Sequence, residues 1–176
     1  MRISEFKFKL DKTGCILGII LIIALTGYYA KWWLIARVDS NSTQNGYYFI
    51  LLSQNIKFKH GDTAVLCIPT QELAEYAIKK GLPTHSMYCS YATPLVKLIA
   101  GLPGDSVIIN KNGVNINGKT WQNSLPLGFI PAANFTGKIE SGVVIMGTHP
   151  RSFDSRYLGI VPTQDIIGKA YLIWRL

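Results

Sequence analysis

Residues 94–105 read PLVKLIAGLPGD, and the fourth of them is a lysine in a setting that lysines usually avoid. Lys97 is flanked by Leu95, Val96, Leu98 and Ile99, and the run closes on Gly101, Pro103, Gly104 and Asp105. A short apolar run followed by turn residues reads as a strand. An ordinary lysine has a pKa of about 10.4, so at neutral pH it is protonated and cannot accept a proton. Burial among apolar groups disfavours the charged form, lowers that pKa and makes a lysine usable as a base for a hydroxyl nucleophile. A strand lysine on the solvent face has none of this chemistry. The run by itself leaves both readings open.

Outward from this stretch, the chain alternates short strands with turns. YYFILL (47–52) and TAVLCI (63–68) are β-rich runs separated by HGD at 60–62. SVIINKNGVNING (106–118) predicts a hairpin with its turn at Asn112-Gly113, and a second turn at Asn117-Gly118. GVVIM (142–146) and AYLIW (170–174) supply further strands. One segment is helical. Thr70 caps it, Glu72 lies in its first turn, Lys79 and Lys80 in its last, and Gly81 stops it, with Leu73, Ala74, Ala77 and Ile78 on one face. It sits between Cys67 and Cys89, which either bridge across the excursion or remain two free thiols. The expected fold is mainly β, with a small helical insert over 66–92.

The N-terminal segment sets the compartment. GCILGIILIIALTGYYA (14–30) carries no charge, and Trp32 to Ile35 extend its apolar character. This approaches the ~20 residues that span a bilayer as a helix. Tyr28, Tyr29, Trp32 and Trp33 suit the interfacial aromatic belt, and Arg2, Lys7, Lys9 and Lys12 precede the run. The positive-inside rule then predicts a cytoplasmic tail over 1–13, a single transmembrane anchor over 14–35 and an extracytoplasmic domain over 36–176. A cleaved signal peptide fits less well, because a cut after Ala30 would put bulky Tyr28 at the minus-three site. The chain has 176 residues and a formal charge of +8, but its basic residues are scattered, so an anionic lipid surface is a better expected partner than nucleic acid. Three cysteines and three histidines show no metal-ligand spacing, so neither metal nor cofactor is expected.

Hydroxyl nucleophiles cluster just beyond the anchor, in VDSNSTQNGYY (38–48). His60, His85 and His149 are the candidate bases for a Ser-His-Asp arrangement, and His149 lies near Asp154, but spacing alone cannot assemble a triad.

Two further motifs favour the lysine. VKLIAGLPGD (96–105) is similar to the lysine box of the type I signal peptidases, which are membrane proteases with a serine/lysine dyad. Leu98 stands where that box has a basic residue. SFDSRYLG (152–159) resembles the same family's C-terminal box, although GTHPR (147–151) replaces its usual Gly-Asp-Asn-Arg lead and the interval to Ser152 is one residue shorter. The single anchor, the GYY at 46–48, the CIP at 67–69 and Cys89 ahead of the lysine box are similar to the conjugative-transfer TraF type. The resemblance runs from about Arg37 to the C-terminus.

It implies a signal-peptidase-like β-fold and a membrane-anchored serine endopeptidase. Ser42 would be the nucleophile, placed four residues before Gly46, with Gln44 where the pattern has proline. Lys97 would be the base. Ser40 would help hold the oxyanion together with the Ser42 amide, Ser152 would orient Lys97, and Asp154 and Arg156 would form a supporting ion pair. The implied substrate is a preprotein or prepilin, in a setting that includes membrane lipid and conjugative type IV secretion components at the outer face of the inner (plasma) membrane. An inactive relative serving as a pilus-assembly scaffold and a His149-based hydrolase are the competing readings.

Overall fold

Helix α1 (Lys12–Ala30) leads directly into the first strand of a β-domain. The computed structural model describes residues 12–30, 32–40, 42–53, 55–79, 81–84, 86–128 and 130–176. The basic residues Arg2, Lys7 and Lys9, together with Lys80 and His85, lie outside the described residues. Ile16, Leu17, Ile19, Ile20 and Leu25 of α1 are exposed rather than packed on the domain. With 19 residues, α1 is about 28 Å long at the usual rise, against ~30 Å of bilayer hydrocarbon. Among the described residues no helix is long and apolar enough to cross a membrane.

The helix stops earlier than the apolar run does. Trp33 to Ile35, expected in an anchor over 14–35, instead open strand β1 (Trp33–Val38). Their backbone groups pair with β2 (Gly46–Leu52) in an antiparallel ladder from Trp33↔Leu51 to Val38↔Gly46. Aromatic and β-branched side chains suit that pleated surface.

Beyond β2 follow β3 (Thr63–Leu66), α2 (Gln71–Lys79), β4 (Leu95–Gly101), β5 (Ser106–Asn110), β6 (Gly113–Ile116), β7 (Lys119–Thr120), β8 (Phe135–Lys138), β9 (Val144–Met146), α3 (Ser155–Leu158) and β10 (Ile166–Arg175). A six-stranded sheet has the order β1-β2-β10-β3-β4-β9, and a four-stranded sheet the order β7-β6-β5-β8. Every pairing is antiparallel. The mainly-β expectation therefore holds. The first hairpin turn lies one residue earlier than expected: Asn110 pairs with Gly113, leaving Lys111 and Asn112 as the loop. The second turn is where the sequence puts it, with Asn117 and Gly118 both at positive φ.

The insert also forms as expected. Thr70 Oγ1 accepts from the Leu73 amide at 3.4 Å, and Ala74 and Ala77 are buried beside Leu73 and Ile78. At its end Gly81 takes φ +97°, and its amide donates to Ile78 O while that of Leu82 donates to Ala77 O, a glycine-stopped helix terminus. Cys67 and Cys89 are joined by a disulfide, which closes the insert at its base.

Candidate active site

Strand alternation decides where Lys97 points. Leu95, Lys97 and Ile99 share one face of β4, and all three are buried, Lys97 to 4% exposure. Burial therefore pushes its ammonium down from an ordinary 10.5 to about 8; the Asp154 carboxylate opposes this fall and the Arg156 guanidinium adds to it. Lys97 Nζ donates to Ser152 Oγ at 2.9 Å. The solvent-facing alternative for this lysine is excluded.

Ser152 is held by the segment that follows it. Its amide donates to His149 O at 3.0 Å. Asp154 caps α3, its Oδ1 accepting from the Arg156 amide at 3.2 Å. Its carboxylate meets the same residue's guanidinium side-on, Nε to Oδ1 and Nη2 to Oδ2, each at 2.8 Å. Both side chains are fully buried, so this is an internal ion pair rather than the surface salt bridge that SFDSR alone would also allow. The guanidinium further donates to the carbonyls of Asn123, Pro150 and His149. Asp154 Oδ2 accepts from the Gly147 amide at 2.9 Å, and Ser155 Oγ from that of Ile145. The pair thus ties the Ser152 turn to β9.

Ser42 reaches the same place from the other side. It lies in the loop between β1 and β2, and its carbonyl accepts from the Thr148 amide at 2.9 Å. Gly147 is the point of contact: a Cβ there would collide with Ser152 Oγ and come within 3.1 Å of Ser42 Cβ. Glycine is required at 147 so that the Ser42 loop and the Ser152 turn can close on one another. Ser42 and Lys97 line one cleft of about 570 Å³, together with Ser40, Val38, Leu82 and Tyr157 among others. Among the described residues the hydrogen bond of Lys97 goes to Ser152 rather than to Ser42.

Two details of the Ser42 loop differ from expectation. The Ser42 amide, assigned to an oxyanion, donates to Ser40 Oγ at 3.1 Å, so this hydroxyl accepts from Ser42 while keeping its own proton to donate. Gln44, where a proline was expected, has its carbonyl fixed by Tyr48 OH at 2.7 Å, and its side-chain amide lies against the Arg175 guanidinium. Other contacts replace the stiffness a proline would have given. The Asn45 side chain also braces the loop, accepting from the Ser40 amide at 2.8 Å.

The described histidines do not build a triad. His60 pairs with Asp105 at 2.7 Å, and His149 Nδ1 accepts from the Arg151 amide at 3.1 Å, while Asp154 is taken up by Arg156. Gly147, Thr148, Asn123 and Asn45 escaped sequence reasoning. Gly147 and Thr148 lie in the altered GTHPR segment and Asn45 in VDSNSTQNGYY, while nothing in the sequence marks Asn123.

The family model described as signal peptidase, peptidase S26, matches residues 12–175. The chain belongs to this family. Within it, the chain groups with TraF-type members. It is 30% identical over 120 residues to the conjugal transfer protein TraF of Agrobacterium tumefaciens (strain 15955), an alignment covering 62% of this chain and 65% of that relative. It is 31% identical over 81 residues to a probable signal peptidase I-2 of Synechocystis sp., covering 44% of this chain and 36% of the other. The chain thus spans less than two thirds of the length of these relatives. A crystal structure of a signal peptidase I from Enterococcus faecalis V583 aligns with a TM-score of 0.39 at 20% identity, over 65% of this chain and 97% of the solved one. That likeness is too slight to bear on the site, and the geometry of this S26 chain rests on its own contacts.

Proposed function

We propose that this chain is a membrane-anchored serine endopeptidase in which Ser42 attacks and Lys97 is the base. One observation carries the reading: a lysine buried to 4% exposure, its pKa lowered to about 8, lining the same cleft as Ser42. At pH 7 about a tenth of such lysines are neutral, far more than for an exposed lysine. Neutral Lys97 takes the Ser42 Oγ proton as that oxygen bonds to the scissile carbonyl carbon. The oxyanion accepts hydrogen bonds from the Ser40 hydroxyl, which keeps its proton, and from the Ser42 amide once that N–H turns from Ser40. Collapse breaks the C–N bond, and Lys97 returns its proton to the leaving amine. Water then opens the acyl-enzyme, with Lys97 again as base. Ser152 keeps Nζ aimed along this path. A substrate amine in place of water would join or cyclise the product instead.

The substrate is a preprotein or prepilin. The relatives named conjugal transfer protein TraF support a conjugative setting, with type IV secretion components as neighbours. Exposed apolar side chains along α1 support a single-pass anchor in the inner membrane, with Trp32 at its interfacial end, an outward-facing catalytic domain and lipid as partner. The test is mass spectrometry of a candidate prepilin incubated with the native chain, Ser42→Ala and Lys97→Ala, each first shown to be folded and membrane-bound. Loss of processing in both variants is expected. Full processing by folded Lys97→Ala sinks the dyad, and binding without cutting by the native chain points to a scaffold.

A further inference from the structure

The turn ahead of Ser152 carries a side chain that the dyad does not use. His149, Pro150, Arg151 and Ser152 form a tight turn, closed by the Ser152 amide on His149 O at 3.0 Å. Proline at its second position fixes φ in advance. The Arg151 amide donates to His149 Nδ1 at 3.1 Å, and the buried Arg156 guanidinium holds the carbonyls of His149 and Pro150. The backbone under Arg151 is therefore fixed, although the residue itself is exposed. A guanidinium on such a base has only its own rotamers to lose on binding.

Its position puts it beside the chemistry. Arg151 lines the same cleft as Ser42 and Lys97. The next residue, Ser152, accepts from Lys97 Nζ at 2.9 Å, so the Arg151 Cα lies within roughly 10 Å of the base. An extended peptide covers that distance in about three residues.

The charges around the cleft are uneven. Among the described residues Arg37, Lys97 and Arg151 line it against a single carboxylate, Asp39, and Asp39 pairs with Arg37 at 3.2 Å. Arg151 forms no salt bridge among the described residues. Leu82, Ile130, Phe153 and Tyr157 also line the cleft, and low-dielectric walls focus the field of an unmatched charge. The planar guanidinium offers a carboxylate two parallel N–H donors. A cationic side chain brought to the same place meets repulsion.

We propose that Arg151 is a specificity-determining residue that binds one substrate carboxylate, the side chain of an aspartate or glutamate within about three residues of the scissile bond. The proposal rests on the peptidase reading for its substrate, but its test reads binding, which needs no turnover. The probes are Ala/Ser dodecapeptides, acetylated and amidated so that a side chain is their only anion, with a zwitterionic rhodamine label. Each carries one Asp, or one Asn as its control, walked along the chain. They are titrated by anisotropy against full-length Ser42→Ala in micelles of a neutral detergent. One or two adjacent Asp registers bind about tenfold tighter than their Asn controls, as expected for a charge-assisted hydrogen bond. Arg151→Gln removes this gain. Arg151→Glu reverses it, so that Lys at the same register binds tighter than Asp. Arg37→Gln, on the β1 wall, leaves the gain intact. If Arg151→Glu disturbs the near-UV circular dichroism, Arg151→Gln carries the test. Equal affinity of Asp and Asn at every register overturns the proposal, as does the absence of measurable binding by any peptide. So does a gain that survives Arg151→Gln or disappears with Arg37→Gln. An Asp gain without any cleavage of a candidate prepilin by the native chain refutes the peptidase reading alone.

Discussion

Replacing Lys97 by methionine tests the electrostatics of the site apart from its chemistry. Lys97 falls from an ordinary 10.5 to about 8 in the folded protein. Between those values the unfolded chain binds more protons than the folded one, so this group makes stability rise with pH across that window. At pH 7, below both values, the full penalty is present, roughly 3 kcal/mol against folding. By pH 9.5 about 2 kcal/mol of it is recovered. Methionine has similar reach and no charge, but it gives up the bond to Ser152 Oγ, at a cost of about 1 kcal/mol. Lys97→Met should therefore be more stable than the native chain by about 2 kcal/mol at pH 7 and nearly equal to it at pH 9.5. The assay is denaturant unfolding of the full chain in micelles at the two pH values, followed by the fluorescence of its four tryptophans. Other titrating groups are common to both proteins and cancel. Identical pH dependence in the two, or a Lys97→Met protein less stable at pH 7, would refute the claim that burial destabilises the charged lysine.

Three other outcomes follow from the same contacts. Peptidase activity should rise about tenfold from pH 7 to pH 9 and level off above about 8, tracking the neutral fraction of Lys97; a profile already flat from pH 6 would exclude lysine as the base. Gly147→Ala drives a methyl into Ser152 and against Ser42, so activity should drop by about 100-fold or more, with a smaller loss on unfolding. Asp154→Asn leaves a fully buried guanidinium without its counter-charge and should cost about 3–5 kcal/mol. If denaturation reads less than about 1 kcal/mol, the pair is no more than a surface-type contact.

The C-terminal box shows how far local chemistry can be read from a string. Ser-Phe-Asp-Ser-Arg placed the Ser152 hydroxyl, the carboxylate and the guanidinium close together, and a cap at Asp154 followed by a short helix needs only neighbours in sequence. That the ion pair is fully buried, and that Arg156 also gathers the carbonyls of Asn123, Pro150 and His149, depends on loops from elsewhere in the chain. The N-terminal apolar run shows where such reading stops. The apolar run continues to Ile35, yet the helix ends at Ala30, because from Trp33 onward the backbone finds a ladder partner in β2. Hydropathy registers apolar character equally in helix and strand and cannot mark that change.

Sequence alone determined the elements whose causes are local. These are the strand periodicity around Lys97, the Asn117-Gly118 turn, and the Thr70-capped, Gly81-stopped helix between two cysteines. It also determined the family, because two motifs in order are independent of how the chain folds between them. Only the tertiary structure decided which face of β4 Lys97 takes, since a strand with apolar residues on both sides fits either orientation until the Ser152 turn meets one of them. It alone made glycine necessary at 147, where two segments far apart in sequence approach closer than any side chain allows. The place of Arg151 in the catalytic cleft is likewise a tertiary fact. Its own turn supplies one wall and β1 another, and no stretch of sequence contains both.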